Sequence, residues 1–74
     1  MSKAFIHTTA EVSEKASLGE NAKIWNLVQI RENASIGDNT IISKNVYIDF
    51  DVKIGRNVKI QNNVSVYHGV TIED

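Results

Sequence analysis

Cysteine and proline are both absent from these 74 residues. Without cysteine there is neither a disulfide nor a thiolate ligand for a metal. Histidine is nearly absent as well. His7 and His68 alone cannot supply the three imidazoles of a catalytic zinc site, so no metal is expected. No apolar run is long enough to cross a bilayer as a helix. Eight Lys and Arg against nine Asp and Glu give a net charge of -1, which leaves no basic footprint for nucleic acid. No linker or low-complexity tract divides the chain, so it reads as one domain, residues 1–74. Met1-Ser2-Lys3 leads straight into the pattern described next, with nothing like a signal peptide. A cytoplasmic location is the expectation.

What is present is a grid. Every sixth residue is aliphatic: Ile6, Val12, Leu18, Ile24, Ile30, Ile36, Ile42, Ile48, Ile54, Ile60, Val66 and Ile72. A helix repeats every 3.6 residues and an ordinary strand every two, so neither writes this pattern. A fixed short period over a whole chain marks a solenoid, and a period of six marks a parallel β-helix. Two residues before each aliphatic stands a small or β-branched residue, from Ala4 and Ala10 through Thr40 to Val64 and Val70. Residues i and i+2 of a strand share a face, so each hexapeptide places one small and one large side chain inward. Three residues after the aliphatic come Asn21, Asn33, Asn39, Asn45, Asp51, Asn57, Asn63 and Gly69, types that tolerate the left-handed corner conformation. Thr9, Lys15 and Leu27 break that rule.

A longer period lies over the short one. Ser17-Leu18-Gly19, Ser35-Ile36-Gly37 and Lys53-Ile54-Gly55 recur at eighteen residues, which is three hexapeptides. The expected fold is therefore all-β, a triangular prism of about four coils, roughly 20 Å tall at the strand spacing. Its outward columns stack residues eighteen apart. One face carries Phe5, Lys23, Ile41 and Lys59 beside His7, Trp25, Ser43 and Gln61. A second carries Glu11, Gln29, Tyr47 and Ser65 beside Ser13, Arg31, Asp49 and Tyr67. Leu27 lies at the corner between them, and these outward apolar residues are the candidate subunit interface. Arg31 and Asp49 stand on adjacent coils and are expected to pair, for at most about 1 kcal/mol on a solvated surface. Both prism ends are open sheet edges without a capping helix, which favours oligomerisation.

The grid has the form [LIV]-[GAED]-x-x-[STAV]-x, and Ile36-Gly37-Asp38-Asn39-Thr40 and Ile54-Gly55-Arg56-Asn57-Val58 match it well. It resembles the hexapeptide repeat of the left-handed β-helix acyltransferases, a family that departs from the usual right-handed crossover. Within that family, Lys23-Ile24-Trp25 and the run from Val58 to Val70 resemble bacterial N-acetyltransferases. Those enzymes acetylate an amino group on a nucleotide-linked sugar for surface polysaccharide biosynthesis.

The resemblance implies a homotrimer with sites in the clefts between prisms, acetyl-CoA as co-substrate and a nucleotide-linked amino sugar as acceptor. It implies substrate-binding roles for Gln61, Asn62 and Tyr67, and puts His68 and Glu73 forward for the chemistry, with Glu73 toward the substrate amine. It also implies more coils than these, so the chain is expected to be the N-terminal part of such an enzyme, inactive by itself. Other readings stay open. His68 is also a plain turn residue in a column with Glu14, Glu32 and Phe50. Tyr67 and Trp25 also suit a trimer contact, and Asn62 also suits a corner. A non-catalytic trimeric β-helix scaffold requires only the grid and an adhesive face, and CoA binding separates it from an enzyme.

Overall fold

The structure is a computed structural model that describes residues 3–74. It contains twelve two-residue strands. In chain order they are β1 (Phe5–Ile6), β2 (Glu11–Val12), β3 (Ser17–Leu18), β4 (Lys23–Ile24), β5 (Gln29–Ile30), β6 (Ser35–Ile36), β7 (Ile41–Ile42), β8 (Tyr47–Ile48), β9 (Lys53–Ile54), β10 (Lys59–Ile60), β11 (Ser65–Val66) and β12 (Thr71–Ile72). Each strand pairs in parallel with the one eighteen residues away, so that Ile6 faces Ile24 and Ile24 faces Ile42. Three four-stranded sheets result: β1-β4-β7-β10, β2-β5-β8-β11 and β3-β6-β9-β12. Four coils of a triangular parallel β-helix follow from that register. Among the described residues no helix is long and apolar enough to cross a membrane.

The inward columns make the core. Ile24, Ile30, Ile36, Ile42, Ile48 and Ile54 are buried, interleaved with Ala22, Val28, Ala34, Val46 and Val52. Burying such an aliphatic side chain contributes roughly 1.5–3 kcal/mol. Thr40 occupies a small-residue position in this core. Its hydroxyl donates to the Gly55 carbonyl at 2.6 Å and accepts the Val58 N–H at 3.1 Å, so the buried polar atom is satisfied. The grid does not bury all its members equally. Ile6, on the same column as Ile24, is 44% exposed in β1, the outermost described strand of its sheet.

The corners form as the sequence suggests, with one addition. Asn21, Asn33, Asn39, Asn45, Asp51, Asn57, Asn63 and Gly69 adopt φ between 58° and 77°. The N–H groups of Asn33, Asn39, Asn45, Asp51, Asn57 and Asn63 reach back one coil: Asn39 donates to the Glu20 carbonyl at 2.8 Å and Asn57 to that of Asp38 at 2.9 Å. Leu27 takes the same conformation, at φ 59°, despite its side chain. Its N–H finds the Thr9 hydroxyl at 2.9 Å instead of a carbonyl. A left-handed conformation costs a residue with a Cβ about 1–2 kcal/mol.

At the corner after the third sheet, coil stacks directly on coil. A Cβ at Gly37 would strike the backbone of Gly55 and Arg56, and one at Gly19 the backbone of Gly37 and Asp38. Carboxylates one coil further on cap the N–H groups beside that column. Asp38 Oδ1 accepts the Glu20 N–H at 2.8 Å, and Asp74 Oδ1 accepts that of Arg56 at 3.1 Å.

Two surface expectations need correction. Arg31 does not pair directly with Asp49. Its Nε meets Glu32 Oε1 at 3.0 Å, and its Nη1 donates to the Tyr47 hydroxyl at 3.0 Å. That hydroxyl donates in turn to Asp49 Oδ1 at 3.2 Å. Tyr47 has the longer reach and inserts between the two charges, so they are coupled through it. Ser43 lies in an outward column but is only 8% exposed, between Trp25 and Gln61 in that column.

Candidate functional site

The polar residues singled out in the last coil do not converge within one prism. Gln61 and Asn62 follow β10, at the corner between the first and second sheets. Tyr67 and His68 follow β11, at the corner between the second and third. Glu73 follows β12, directly above the Gly19-Gly37-Gly55 column, at the third corner. Successive corners are six residues of chain apart, up to about 20 Å at extended spacing. Tyr67 and His68 are neighbours; the other two groups are remote from them on the same prism. Asn63 follows Asn62 and Gly69 follows His68 as left-handed turn residues. Asn63 is held as a structural corner, since its Oδ1 accepts from Asn45 Nδ2 at 2.9 Å.

The corner bearing His68 is the most elaborated part of the surface. The imidazole stacks on the Phe50 ring one coil back, with centroids 4.9 Å apart and planes 5° from parallel. Its Nδ1 stands 3.5 Å from Asp49 Oδ2, while 65% of the side chain remains exposed. Asp49 itself is nearly buried. Its Oδ1 accepts the Phe50 N–H at 2.8 Å and the Tyr47 hydroxyl at 3.2 Å, and its Oδ2 accepts the His68 N–H at 3.2 Å. Burial is the largest single influence on this carboxyl and opposes ionisation. The hydrogen bonds from Phe50, Tyr47 and His68 together outweigh it, and the carboxyl is held below its ordinary pKa. Arg31 is raised, first by its hydrogen bond to Glu32 and then by that to Tyr47. Glu32 is lowered, first by its own backbone N–H and then by Arg31.

An open groove of about 440 Å³ begins next to this network on the second sheet, lined by Glu11, Ser13, Gln29, Arg31 and Glu32. At the other end of the molecule Phe5 and Trp25 pack at 5.2 Å between centroids, tilted by 54°, and both stay exposed beside Leu27. Among the described residues no three His, Asp or Glu side chains gather to hold a metal ion. His7 is far from His68. Its Nδ1 accepts the Thr9 N–H at 3.1 Å in the first coil.

Sequence reasoning found His68 and its column partner Phe50, but not Asp49 as the partner of the imidazole. The signal was present diagonally. Asp49 lies nineteen residues before His68, one coil back and one position earlier, where a side chain leaning toward the corner meets the next coil's turn.

Comparison with known proteins agrees with this architecture. The bacterial transferase hexapeptide family (six repeats) matches residues 15–49. A solved structure of perosamine N-acetyltransferase from Caulobacter crescentus, a histidine-to-asparagine mutant in complex with CoA and GDP-perosamine, superposes with a TM-score of 0.92 at 28% identity. That match covers 95% of this chain and 33% of the other. A histidine-to-alanine mutant of GDP-perosamine N-acetyltransferase from the same organism, also with CoA and GDP-perosamine, superposes with a TM-score of 0.76 at 27% identity. That match covers 97% of this chain and 43% of the other. The chain thus spans less than half the length of these structures. No curated protein matches it significantly by sequence. Residues 15–49 thus match the bacterial transferase hexapeptide model, on a β-helix similar to that of a nucleotide-sugar N-acetyltransferase.

Proposed function

We propose that this β-helix is part of an acetyl-CoA-dependent N-acetyltransferase whose acceptor is a nucleotide-linked amino sugar, in cytoplasmic synthesis of surface polysaccharide. The observation that carries the reading is the polar last coil, where His68 is seated on Phe50 beside a buried carboxylate on a backbone similar to such an enzyme. A corner that only had to turn would require none of this.

The three separate corners of the last coil support a homotrimer. A cleft between two prisms brings a corner of one against a face of the next, so Gln61 and Asn62 of one protomer can share a ligand with Tyr67 and His68 of another. The exposed Phe5, Trp25 and Leu27 supply apolar surface for that assembly. In the cleft the amine attacks the thioester carbonyl, the C–N bond forms and the C–S bond breaks. The nitrogen's surplus proton passes to the His68 imidazole and CoA leaves as its thiolate, which is then protonated. Gln61, Asn62 and Tyr67 hydrogen-bond the sugar or nucleotide, and Glu73 meets the substrate amine. Alignment of the two reactants supplies much of the acceleration.

The rival is a non-catalytic trimeric scaffold, favoured by the same exposed apolar residues. The test uses the protein expressed from its complete reading frame. It is titrated calorimetrically with CoA and then with purine and pyrimidine nucleotide amino sugars, and release of the CoA thiol is followed. Heat with CoA and thiol release with an amino sugar establish the enzyme. No heat with either ligand leaves the scaffold.

A further inference from the structure

We propose that Asp49 is the positioning residue for His68: it fixes the neutral imidazole with its proton on Nδ1 and turns Nε2 outward as the proton acceptor. This rests on the reading above for its function, and on the geometry of one corner for its form.

An ionised carboxylate only accepts hydrogen bonds. Asp49 Oδ1 is already engaged by the Phe50 N–H and the Tyr47 hydroxyl, and Oδ2 by the His68 N–H. The His68 Nδ1 lies 3.5 Å from Oδ2, within reach of the carboxylate's negative charge. A lone pair on Nδ1 would be repelled there, so Nδ1 carries the hydrogen whenever the ring is neutral. The stack on Phe50 restricts the plane of the ring. Nε2, on the opposite edge, is then left with its lone pair directed to solvent, the arrangement a general base needs.

The other charges around the ring do not undo this. Arg31 is occupied by Glu32 and the Tyr47 hydroxyl, and Glu32 lies beyond Phe50 in the same corner column. Asp49 is the one carboxylate in reach of Nδ1 among the described residues. The same chain contains an opposite case. His7 Nδ1 accepts the Thr9 N–H at 3.1 Å, so His7 must carry its hydrogen on Nε2. Two histidines in one molecule are thus set to opposite tautomers by their corners.

A purely structural Asp49 would also cap the turn, because it accepts two backbone N–H groups. The tautomer separates the two roles. Long-range proton–nitrogen correlation spectra of ¹⁵N-labelled protein, taken above the titration range of both rings, should place the His68 proton on Nδ1 and the His7 proton on Nε2. In Asp49→Asn with the NH₂ in the Oδ2 position, the amide oxygen keeps the Phe50 N–H, the His68 N–H loses its acceptor, and the NH₂ faces the ring. His68 should then switch to Nε2–H and His7 should stay unchanged. With a nucleotide amino sugar as acceptor, kcat of that variant should fall by about a hundredfold or more with KM kept. A parent spectrum with His68 as Nε2–H overturns the proposal, and that measurement decides even if Asp49→Asn fails to fold. An unchanged tautomer in a folded Asp49→Asn also overturns it. The expected tautomers without any acetyl transfer would leave Asp49 as the orienting group and defeat the enzyme reading instead.

Discussion

Gly37→Ala is the sharpest test of how the coils stack. The new methyl group would lie 2.7 Å from the Arg56 amide nitrogen and closer still to the Gly55 carbonyl. Ordinary van der Waals contact begins near 3.4 Å, so the next coil must rise locally by about 0.7 Å or more. What it meets is backbone, which cannot rotate away. The rise would stretch the 2.8 Å bonds from Gly37 N–H to the Ile54 carbonyl and from Gly55 N–H to that of Ile72. Overpacking of this kind costs about 1–3 kcal/mol, and each weakened hydrogen bond roughly another 0.5–1.5 kcal/mol. A loss of about 2–6 kcal/mol is expected. Gly69 is the control. Nothing lies within 4 Å of a Cβ there, but its φ is 77°. Gly69→Ala should therefore cost only the left-handed conformation, about 1–2 kcal/mol. Gly69→Asn should cost less, since Asn33 occupies the same corner two coils back at φ 62°. Urea unfolding followed by circular dichroism gives all three midpoints. If Gly37→Ala unfolds no earlier than Gly69→Asn, the close stacking of the glycine column is wrong.

Other outcomes follow from the same structure. Ile42→Ala, at a fully buried site, should lose about 2–5 kcal/mol, and Ile6→Ala, on the same column but half exposed, much less; equal losses in thermal melts would contradict that difference in burial. Ile54→Asp should not fold at all at room temperature, because it leaves an unpaired charge in a dry core, and a melt like the parent's would remove the β-helix. Leu27→Asn relieves a strained corner and should stabilise a single chain by about 1 kcal/mol, while light scattering should register weaker self-association if Leu27 serves the interface. The carboxyls of Asp49, Asp74 and Glu32 are held below their ordinary values, so the stability they contribute is complete above the unfolded carboxylate range, near pH 4, and is lost as pH falls through the lower folded values. The drop in urea midpoint between pH 7 and pH 3 should accordingly shrink in Asp49→Asn, and an acid limb unchanged by that substitution would refute the assignment.

The coil, its three sheets and its core could be read directly from residue order. A period of six in the aliphatics, two in the inward pairs and eighteen in the glycines leaves one way to bury every large side chain while pairing every strand. Each of those constraints is local or repeats identically, so periodicity alone expresses it. Leu27 shows the limit on the backbone: its type argues against a left-handed corner, and stacking against Thr9 and Asn45 in the same column imposes one regardless. The candidate site shows the limit for side chains. Gln61, Asn62, Tyr67, His68 and Glu73 are close in sequence, yet the triangular path sends them to three corners. The partners that orient His68, Asp49 and Phe50, come from the previous coil. Which carboxylate leans toward which ring depends on side-chain torsions, on the reach of Tyr47 between Arg31 and Asp49, and on how tightly one coil lies upon another. No period records those quantities, and only packing in three dimensions decides them.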